Sequence, residues 1–458
     1  MMKNLLLILG LTVVTHTIYS QPDWPENFHY QKMANGLEVL VIENDAVPLA
    51  TIELAVRNGA FTEPDSTNGL AHLYEHLFFK VNEKYPTADS LLNRIEELGM
   101  VFNATTSDER SNYFINLSSE NLRGGIDFLS AAVQYPIFSK DVIESEYNVI
   151  ESKLQRAESN PVFFLIRDLN EKLWGEHASR KNAMGDPGVI FNATPAELQE
   201  MHDRYYVPNN SLLVISGDVE RDAVFSYCLE AFKDWKPSPQ PPLEQYPIPE
   251  FDTLSTSTGV ITINEQAQGP LILCGFQGPT TANDIEATYA ADVLSYMLSQ
   301  KNSALGEALV EKELAHQVGV GYTTQKYGGS LTIFLVPKQR GIQEAMDALA
   351  NNIERWDDPD YFTDEELENA KRMLMIQELY SREAPSEIVH NISYWWASAD
   401  LEYFTDYPEN IQKVSREDIT RLVRSYIQGQ PNVTGLLISQ QMKNMLEINS
   451  INVLNTQQ

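Results

Sequence analysis

The stretch GLAHLYEHLFFK, residues 69–80, places two histidines and a glutamate inside an apolar run that otherwise predicts a buried helix. On a helix, His72 and His76 lie one turn apart and Glu75 precedes the second histidine, so all three project from one side. Burying a carboxylate and two imidazoles without partners costs roughly several kcal/mol. The chain must therefore fold so that these three side chains find a partner.

A divalent metal ion is one such partner. Two imidazoles one turn apart can chelate a zinc ion, and the adjacent carboxylate can accept a proton from water, as in the H-x-x-E-H arrangement of inverted zincins. The alternative is a structural helix whose histidines pair with backbone groups or with acids elsewhere. Because the chain has only 8 histidines, a chance occurrence of this motif is rare, and we favour the metal site.

The charge balance argues against one class of ligand. The chain has 33 Lys and Arg against 64 Asp and Glu, which gives a formal net charge of -31 at pH 7. Such a chain repels phosphate groups, so we do not expect it to bind nucleic acid. The simplest interpretation of the acidity is a solvated surface, and peptides remain compatible ligands.

The first 20 residues have the pattern of a secretory signal. Lys3 precedes an apolar stretch at 5–14, and Ser20 provides a small residue before the predicted cut. We therefore expect residues 1–20 to be removed, and the mature chain to be secreted or periplasmic without a membrane span. An uncleaved anchor is the alternative, but the apolar stretch is too short to cross a bilayer.

The order of predicted elements divides the chain into two halves. At 458 residues the chain is too long for one ordinary core. The proline-dense stretch 236–254 cannot continue a helix or a central strand, so we take it as a linker between domains at 25–235 and 255–445. Beyond it the order of strands and helices restarts, which predicts two homologous α+β domains. The second domain lacks the H-x-x-E-H motif.

Local patterns fix several elements. Asn35-Gly36 predicts a tight hairpin, and Thr87 and Gly99 are typical of the two ends of a helix. A further helix is predicted at 140–158.

The two cysteines, Cys228 and Cys274, fall in different halves; one bridge between them is possible after export, but two separate buried thiols are favoured.

Together these pieces resemble the M16 metallopeptidases, the family of pitrilysin, insulinase and mitochondrial processing peptidase, and most closely its short two-domain type. The landmarks that carry the resemblance are GLAHLYEHLFFK, FNATTSDERSNYFINLSSENL, YPIFSKDVIESEYNVI, Asn160-Pro161, YYVPNNSLLVISGDV and QGPTTAND. The resemblance implies two α/β sandwich domains of the LuxS/MPP-like type, each with a mixed sheet and helices on one face. It also implies a zinc endopeptidase that hydrolyses peptides or unfolded segments in a clamshell chamber.

The same resemblance implies roles for individual residues. His72 and His76 would bind Zn2+, and Glu75 would be the general base. The strand that holds Asn103 and Ala104 would pair with the backbone of the peptide substrate, a form of strand addition.

This chain departs from the family pattern at the position of the third zinc ligand. Family members place a glutamate at the end of Glu-Arg-x-Val-Val-x-x-Glu, and the matching stretch EYNVIESK puts Lys153 at that position. A protonated lysine repels zinc, whereas catalytic sites use three protein ligands and one open position. We predict Glu151 as the replacement ligand, with Glu146 as the alternative. On an ideal helix Glu151 lies about 200 degrees around from Lys153, and Glu146 lies two turns away.

The second half departs from the family as well. Family members often grip the substrate with an arginine and a tyrosine of this half, and the matching stretch LVEKELAHQV carries Val310 and His316 instead. The resemblance therefore implies a dimer, formed either by two copies of this chain or with a second M16 subunit that supplies the arginine and the tyrosine. The alternative function is that of a non-catalytic M16-like peptide-binding subunit of a heteromeric peptidase.

Overall fold

The computed structural model describes residues 24–338, 341–382 and 384–456. The predicted signal at 1–20 lies outside the described residues. Within the described part, the chain forms a six-stranded sheet followed by a five-stranded sheet, with helices packed on both. Each sheet contains parallel and antiparallel pairs, so the predicted α+β class with mixed sheets is confirmed.

The first sheet has the strand order β1-β2-β6-β3-β5-β4. Asn35 and Gly36 turn the chain between β1 and β2, which pair antiparallel as predicted, and Gly36 adopts a φ of 90° that a side chain would disfavour. β2 and β6 are parallel, and β4 is at the edge. The strands are β1 Phe28–Lys32, β2 Glu38–Glu43, β3 Leu49–Val56, β4 Val101–Thr106, β5 Ser111–Ser118 and β6 Ser211–Gly217.

The helices of the first half follow the predicted end signals. The Thr87 side chain forms a capping box with Ser90, and Gly99 ends the same helix in the left-handed conformation, as the sequence predicts. The helices are α1 Leu70–Phe78, α2 Ala88–Leu98, α3 Leu122–Gln134, α4 Lys140–Glu158, α5 Pro161–Trp174, α6 Pro187–Ile190, α7 Pro195–Tyr205, α8 Arg221–Phe232 and, in the proline-dense stretch, α9 Pro242–Gln245.

The second sheet repeats the first without its β1 strand. Its order is β7-β11-β8-β10-β9, and β7 is parallel to β11 just as β2 is parallel to β6. The strands are β7 Thr258–Ile263, β8 Leu271–Gln277, β9 Ala315–Thr323, β10 Ser330–Pro337 and β11 Val433–Ile438. The helices are α10 Ile285–Leu298, α11 Ala304–Gly306, which runs into a π-helical turn Glu307–Glu311, α12 Ile342–Ile353, α13 Asp364–Tyr380, α14 Pro385–Ser398, α15 Leu401–Lys413, α16 Arg416–Tyr426 and α17 Gln440–Met445.

Each half covers one face of its sheet with its own helices, whereas the other face is covered by a helix of the opposite half. Because side chains alternate along a strand, β2 sends Val39 and Val41 into the core of the first half and sends Leu40 and Ile42 to the other face. There they pack in one cluster with α14 of the second half. In exchange, α5 of the first half packs on the second sheet.

Polar contacts reinforce this exchange at α14. The Arg57 guanidinium lies 3.8 Å from the ring centroid of Trp396 and donates to the Trp396 carbonyl oxygen at 2.8 Å. The fully buried Glu53 carboxylate on β3 accepts a hydrogen bond from the Ser393 hydroxyl. The two halves therefore share both apolar clusters and buried polar groups.

Cys228 and Cys274 are free and buried in separate cores, which agrees with the preference for two thiols. Among the described residues, we find no helix with the length and apolar character that a membrane crossing requires.

Candidate metal centre

The helix that carries the motif, α1, is held at its N-terminus by Glu63. The Glu63 carboxylate accepts hydrogen bonds from the backbone N–H groups of Gly69 at 2.8 Å and Ala71 at 2.6 Å. These are donors that a helix leaves without partners in its first turn, and a negative charge is favoured there. Burial raises the pKa of Glu63 to about 7, against the effect of these hydrogen bonds. Glu63 therefore fixes where the motif begins.

The structure brings the three motif residues together. The ligand atoms of His72, Glu75 and His76 all lie within 4.8 Å of one another, and the two imidazole centroids are 5.1 Å apart. His72 and Glu75 are buried, while Leu73, on the other side of the helix, belongs to the core of the first half. The predicted convergence of two imidazoles and one carboxylate is present.

Both histidines use Nδ1 for contacts away from the cluster. His72 Nδ1 lies 2.9 Å from the carbonyl oxygen of Met184, and His76 Nδ1 lies 3.4 Å from Glu146 Oε2. A proton on each Nδ1 satisfies these acceptors and leaves the lone pair of each Nε2 free to bind a metal. Nε2 of His76 is buried and has no hydrogen-bond partner in the described part of the chain. This buried atom without a partner fits a metal ligand.

The electrostatics keep both rings neutral. Burial lowers the pKa of His72, and burial together with the nearby Lys153 ammonium lowers the pKa of His76 to about 4. Neutral imidazole is the form that binds metal, so both rings are ready to do so at pH 7.

Lys153 lies beside the cluster, as its match to the third-ligand position of the family predicts. Its Nζ lies 3.4 Å from Oε1 of Glu75, and its side chain is 46% exposed, against 9% for Glu75. An ammonium group thus approaches the cluster from the position where the family pattern has a carboxylate. It neutralises Glu75 and opposes a cation at the same site.

The structure does not bring the two predicted third ligands into the cluster. Glu151 is exposed, and its carboxylate accepts a hydrogen bond from Gln155, one turn further along α4. Because α4 is an uninterrupted helix and Lys153 faces Glu75, Glu151 points to another side. Glu146 is buried and reaches His76 at Nδ1, and its second oxygen pairs with Lys80 at 2.7 Å. Glu146 therefore orients a ligand instead of completing the donor set.

Asn103 and Ala104 lie on β4, the edge strand next to α1. The strand is largely exposed, and its outer edge pairs with no other strand in the described part of the chain. Phe79, which directly follows α1, packs on Phe102 at 4.6 Å between centroids. An extended peptide laid along this edge would pass beside the cluster.

A cavity of about 610 Å³ opens beside Met184, lined by α5 and by the segment that connects α5 to α6. Acidic side chains outnumber basic ones in its wall, where Lys181 and Arg167 are the two cations. Lys181 is tied to Asp108 at 3.4 Å. The cavity offers space for side chains of a bound peptide.

The second half places no comparable cluster on its corresponding helix. α10 follows β8, which occupies the place of β3, the strand before α1, but α10 carries no histidine. His316 is exposed on β9, and Val310 packs against the core of the second half. Within the described residues, the donor set His72, Glu75 and His76 is the only group of this kind found.

Three residues around the site were missed in the sequence: Glu63, Met184 and Asn68, whose amide donates to the backbone carbonyl oxygens of Ser179 and Asn182. Glu63 precedes the motif by only nine residues, so its role as a helix cap could have been proposed from spacing. Met184 acts through its backbone carbonyl and lies far along the chain from His72. No side-chain pattern signals such a contact.

Known proteins share this architecture. Residues 38–186 match the family model for insulinase (peptidase family M16), and residues 192–374 match the model for the peptidase M16 inactive domain. The zinc protease PqqE of Helicobacter pylori is 22% identical over 450 residues, which cover 95% of this chain and 98% of the relative. An uncharacterized zinc protease of Rickettsia felis is 26% identical over 311 residues, which cover 68% and 73% respectively.

A solved structure shows the same fold. The crystal structure of a protease from Helicobacter pylori superposes with a TM-score of 0.78 at 21% identity, and covers 90% of this chain and 99% of that one. The two family models together span most of the described chain, and the motif helix lies inside the first. This protein is therefore a member of the M16 peptidase family, with both of its homologous domains.

Proposed function

We propose that the chain is a zinc-dependent endopeptidase that hydrolyses peptides or unfolded segments. The observation that carries this proposal is the cluster of two imidazoles and one carboxylate, whose ligand atoms all lie within 4.8 Å of one another. Relatives that align with most of the chain are named zinc proteases, which supports zinc as the ion. Imidazole nitrogens such as those of His72 and His76 are common zinc ligands.

The residues divide the chemistry between them. His72 and His76 would hold the ion, which when bound supplies Lewis acidity. Glu75 accepts the proton of the attacking water at a carboxylate oxygen, and can return it to the leaving amine. Glu146 and the Met184 carbonyl keep the two rings in the tautomer that ligation needs.

The edge strand β4 supports the choice of a peptide as substrate. Backbone pairing along this edge, at Asn103 and Ala104, binds an extended chain with little regard to its sequence. Exposed Val101 and Phe102 next to these residues offer apolar contacts to side chains. The cavity beside Met184 would receive side chains on the other flank of the cluster.

The test combines metal analysis with a quenched-peptide assay. The purified chain, with and without a candidate M16 partner subunit, should bind one zinc ion and cleave the peptide. Glu75→Gln should abolish cleavage and keep the fold, whereas Glu96→Gln, at an exposed position of α2, should change neither. Absence of zinc in the wild-type chain, or full activity of Glu75→Gln, contradicts the proposal.

The second candidate function is a non-catalytic M16-like peptide-binding subunit of a heteromeric peptidase. It is favoured by one observation, the Lys153 ammonium 3.4 Å from Glu75. In this case the zinc-supplemented wild-type chain should bind a labelled peptide with the same affinity as Glu75→Gln and release it uncleaved. Fluorescence anisotropy followed by mass spectrometry of the peptide separates the two functions.

Location and assembly belong to the same proposal. A secreted or periplasmic chain agrees with the signal-like first 20 residues, and a solved Escherichia coli relative, PqqL, is described as a periplasmic protease. A dimer with a second M16 subunit would supply the arginine and tyrosine that Val310 and His316 replace. Light scattering of the chain alone and with that subunit tests the assembly.

A further inference from the structure

The orientation of His72 depends on a distant backbone atom. Its Nδ1 contacts the carbonyl oxygen of Met184, 112 residues later in the chain. Met184 lies in the segment between the end of α5 and the start of α6, outside any α-helix or strand. A carbonyl in such a segment holds an imidazole in place only if the segment itself is fixed.

One buried residue bonds to that segment on both sides of Met184, with its side chain on the N-terminal side and with its backbone carbonyl on the C-terminal side. Asn68 Nδ2 donates to the carbonyl oxygens of Ser179 at 2.9 Å and Asn182 at 3.0 Å. Its Oδ1 accepts from Asn182 Nδ2 at 2.9 Å, and its backbone carbonyl accepts from Asp186 N–H at 3.0 Å. Asn68 is 2% exposed, so water does not compete for these bonds.

Asn68 also stands directly before the motif helix. Gly69 follows it with a φ of 110°, and Gly185 approaches so closely that a Cβ on Gly185 would lie 2.3 Å from Gly69 Cα. The two backbones therefore touch without side chains between them. Asn68 thus joins the segment that carries Met184 to the start of α1, which carries His72. If this joint loosens, the segment can shift against α1, and the Met184 carbonyl then moves relative to His72.

We propose that Asn68 is a positioning residue of the metal centre, which sets the tautomer and orientation of His72 through the Met184 carbonyl. The proposal rests on the proposed function in so far as His72 is a zinc ligand. Asn68 is not one of the three clustered residues His72, Glu75 and His76, and it is linked to His72 through the segment that carries the Met184 carbonyl. A carbonyl that accepts Nδ1–H leaves the lone pair on Nε2, and the loss of such an outer partner lowers metal affinity by about 10–100-fold.

The experiment compares two buried asparagines of the full chain. Asn68→Ala and Asn68→Asp, which both lack the two N–H donors, should weaken zinc binding by about 10–100-fold in a chelator competition. The matched control is Asn210→Ala: Asn210 is 3% exposed and donates to the carbonyl oxygens of Arg57 and Tyr205, with no contact to the site. It should lower the melting temperature but keep the zinc Kd within about twofold.

A second measurement determines the tautomer of the His72 imidazole in the metal-free protein. In 15N-labelled protein, long-range proton–nitrogen spectra assign the proton of each imidazole, with His72→Gln used to identify the signal. Wild type and Asn210→Ala should show His72 protonated at Nδ1, whereas both Asn68 variants should shift toward the Nε2–H form that a free imidazole prefers.

The outcomes separate this inference from the proposed function. If the wild-type chain binds no zinc, the proposed function fails, and the tautomer of His72 alone decides the role of Asn68. If the Asn68 variants keep both the zinc Kd and the tautomer of the wild type, Asn68 is only structural. Equal losses of zinc affinity in Asn68→Ala and Asn210→Ala would also overturn the proposal, because general loosening would explain them.

Discussion

Replacing Lys153 with methionine should strengthen zinc binding. The substitution keeps an unbranched apolar stem of nearly the same length and removes the ammonium group that lies 3.4 Å from Glu75 Oε1. No other residue of the cluster changes. The variant therefore isolates the electrostatic effect of Lys153 on a cation held by His72 and His76.

The magnitude follows from Coulomb's law. Two unit charges about 4 Å apart interact by about 1 kcal/mol in water and about 4 kcal/mol at an effective dielectric constant of 20, and a divalent ion doubles both figures. Since the Lys153 side chain is 46% exposed, solvent screening favours the lower end, about 2 kcal/mol. That repulsion corresponds to about a 30-fold change in the zinc Kd.

Competition with a fluorescent chelator measures this change. Lys153→Met should lower the zinc Kd by about 30-fold, and Lys153→Glu should lower it further, because it adds a carboxylate ligand at the family position. Lys140→Met is the control: Lys140 lies on the same helix, is 78% exposed and pairs with Glu144. An unchanged or weaker zinc affinity in Lys153→Met would refute the electrostatic reasoning.

Two further predictions concern the second half. Glu313 has a φ of 61°, a strained left-handed conformation for a residue with a side chain, so Glu313→Gly should stabilise the chain by about 0.5–1 kcal/mol in chemical denaturation, whereas Glu311→Gly, in the preceding π-helical turn, should destabilise it. Destabilisation by Glu313→Gly would show that no strain is stored there. Burial raises the pKa of Asp292, which accepts a hydrogen bond from Tyr407 at 2.9 Å, to about 7. A raised carboxyl pKa gives stability that is complete below about pH 4 and is lost as the pH rises through 7, so Asp292→Asn should gain melting temperature relative to wild type between pH 5 and pH 8. A difference that is the same at both pH values would contradict this assignment.

Elements with local signals could be predicted from the sequence. The Asn35-Gly36 turn, the helix between Thr87 and Gly99 and the helix at 140–158 are confirmed, because each depends on caps and turns within a few residues. The side chains of the H-x-x-E-H motif lie together for the same reason, since helical spacing alone brings them together, and their role as a metal site stays a prediction.

Contacts between distant segments could not be predicted in this way. The packing of α14 on the first sheet and the Met184 carbonyl on His72 join residues far apart in the chain, and no periodic pattern records them. The third ligand illustrates the limit. The sequence predicts Glu151 because a protonated Lys153 repels a metal ion, but the regular turn of α4 carries Glu151 away from the cluster.

The exchange of α5 and α14 between the two sheets bears on how such a chain can evolve and be engineered. A gene cut at the proline-dense stretch would yield two products. Each product would expose one apolar sheet face and one amphipathic helix that no longer packs on the sheet of the other half. Bare sheet faces of this kind promote aggregation, so the two products would have to be made together and meet during folding. Fusion in one polypeptide keeps each helix at high local concentration near the sheet that it must cover.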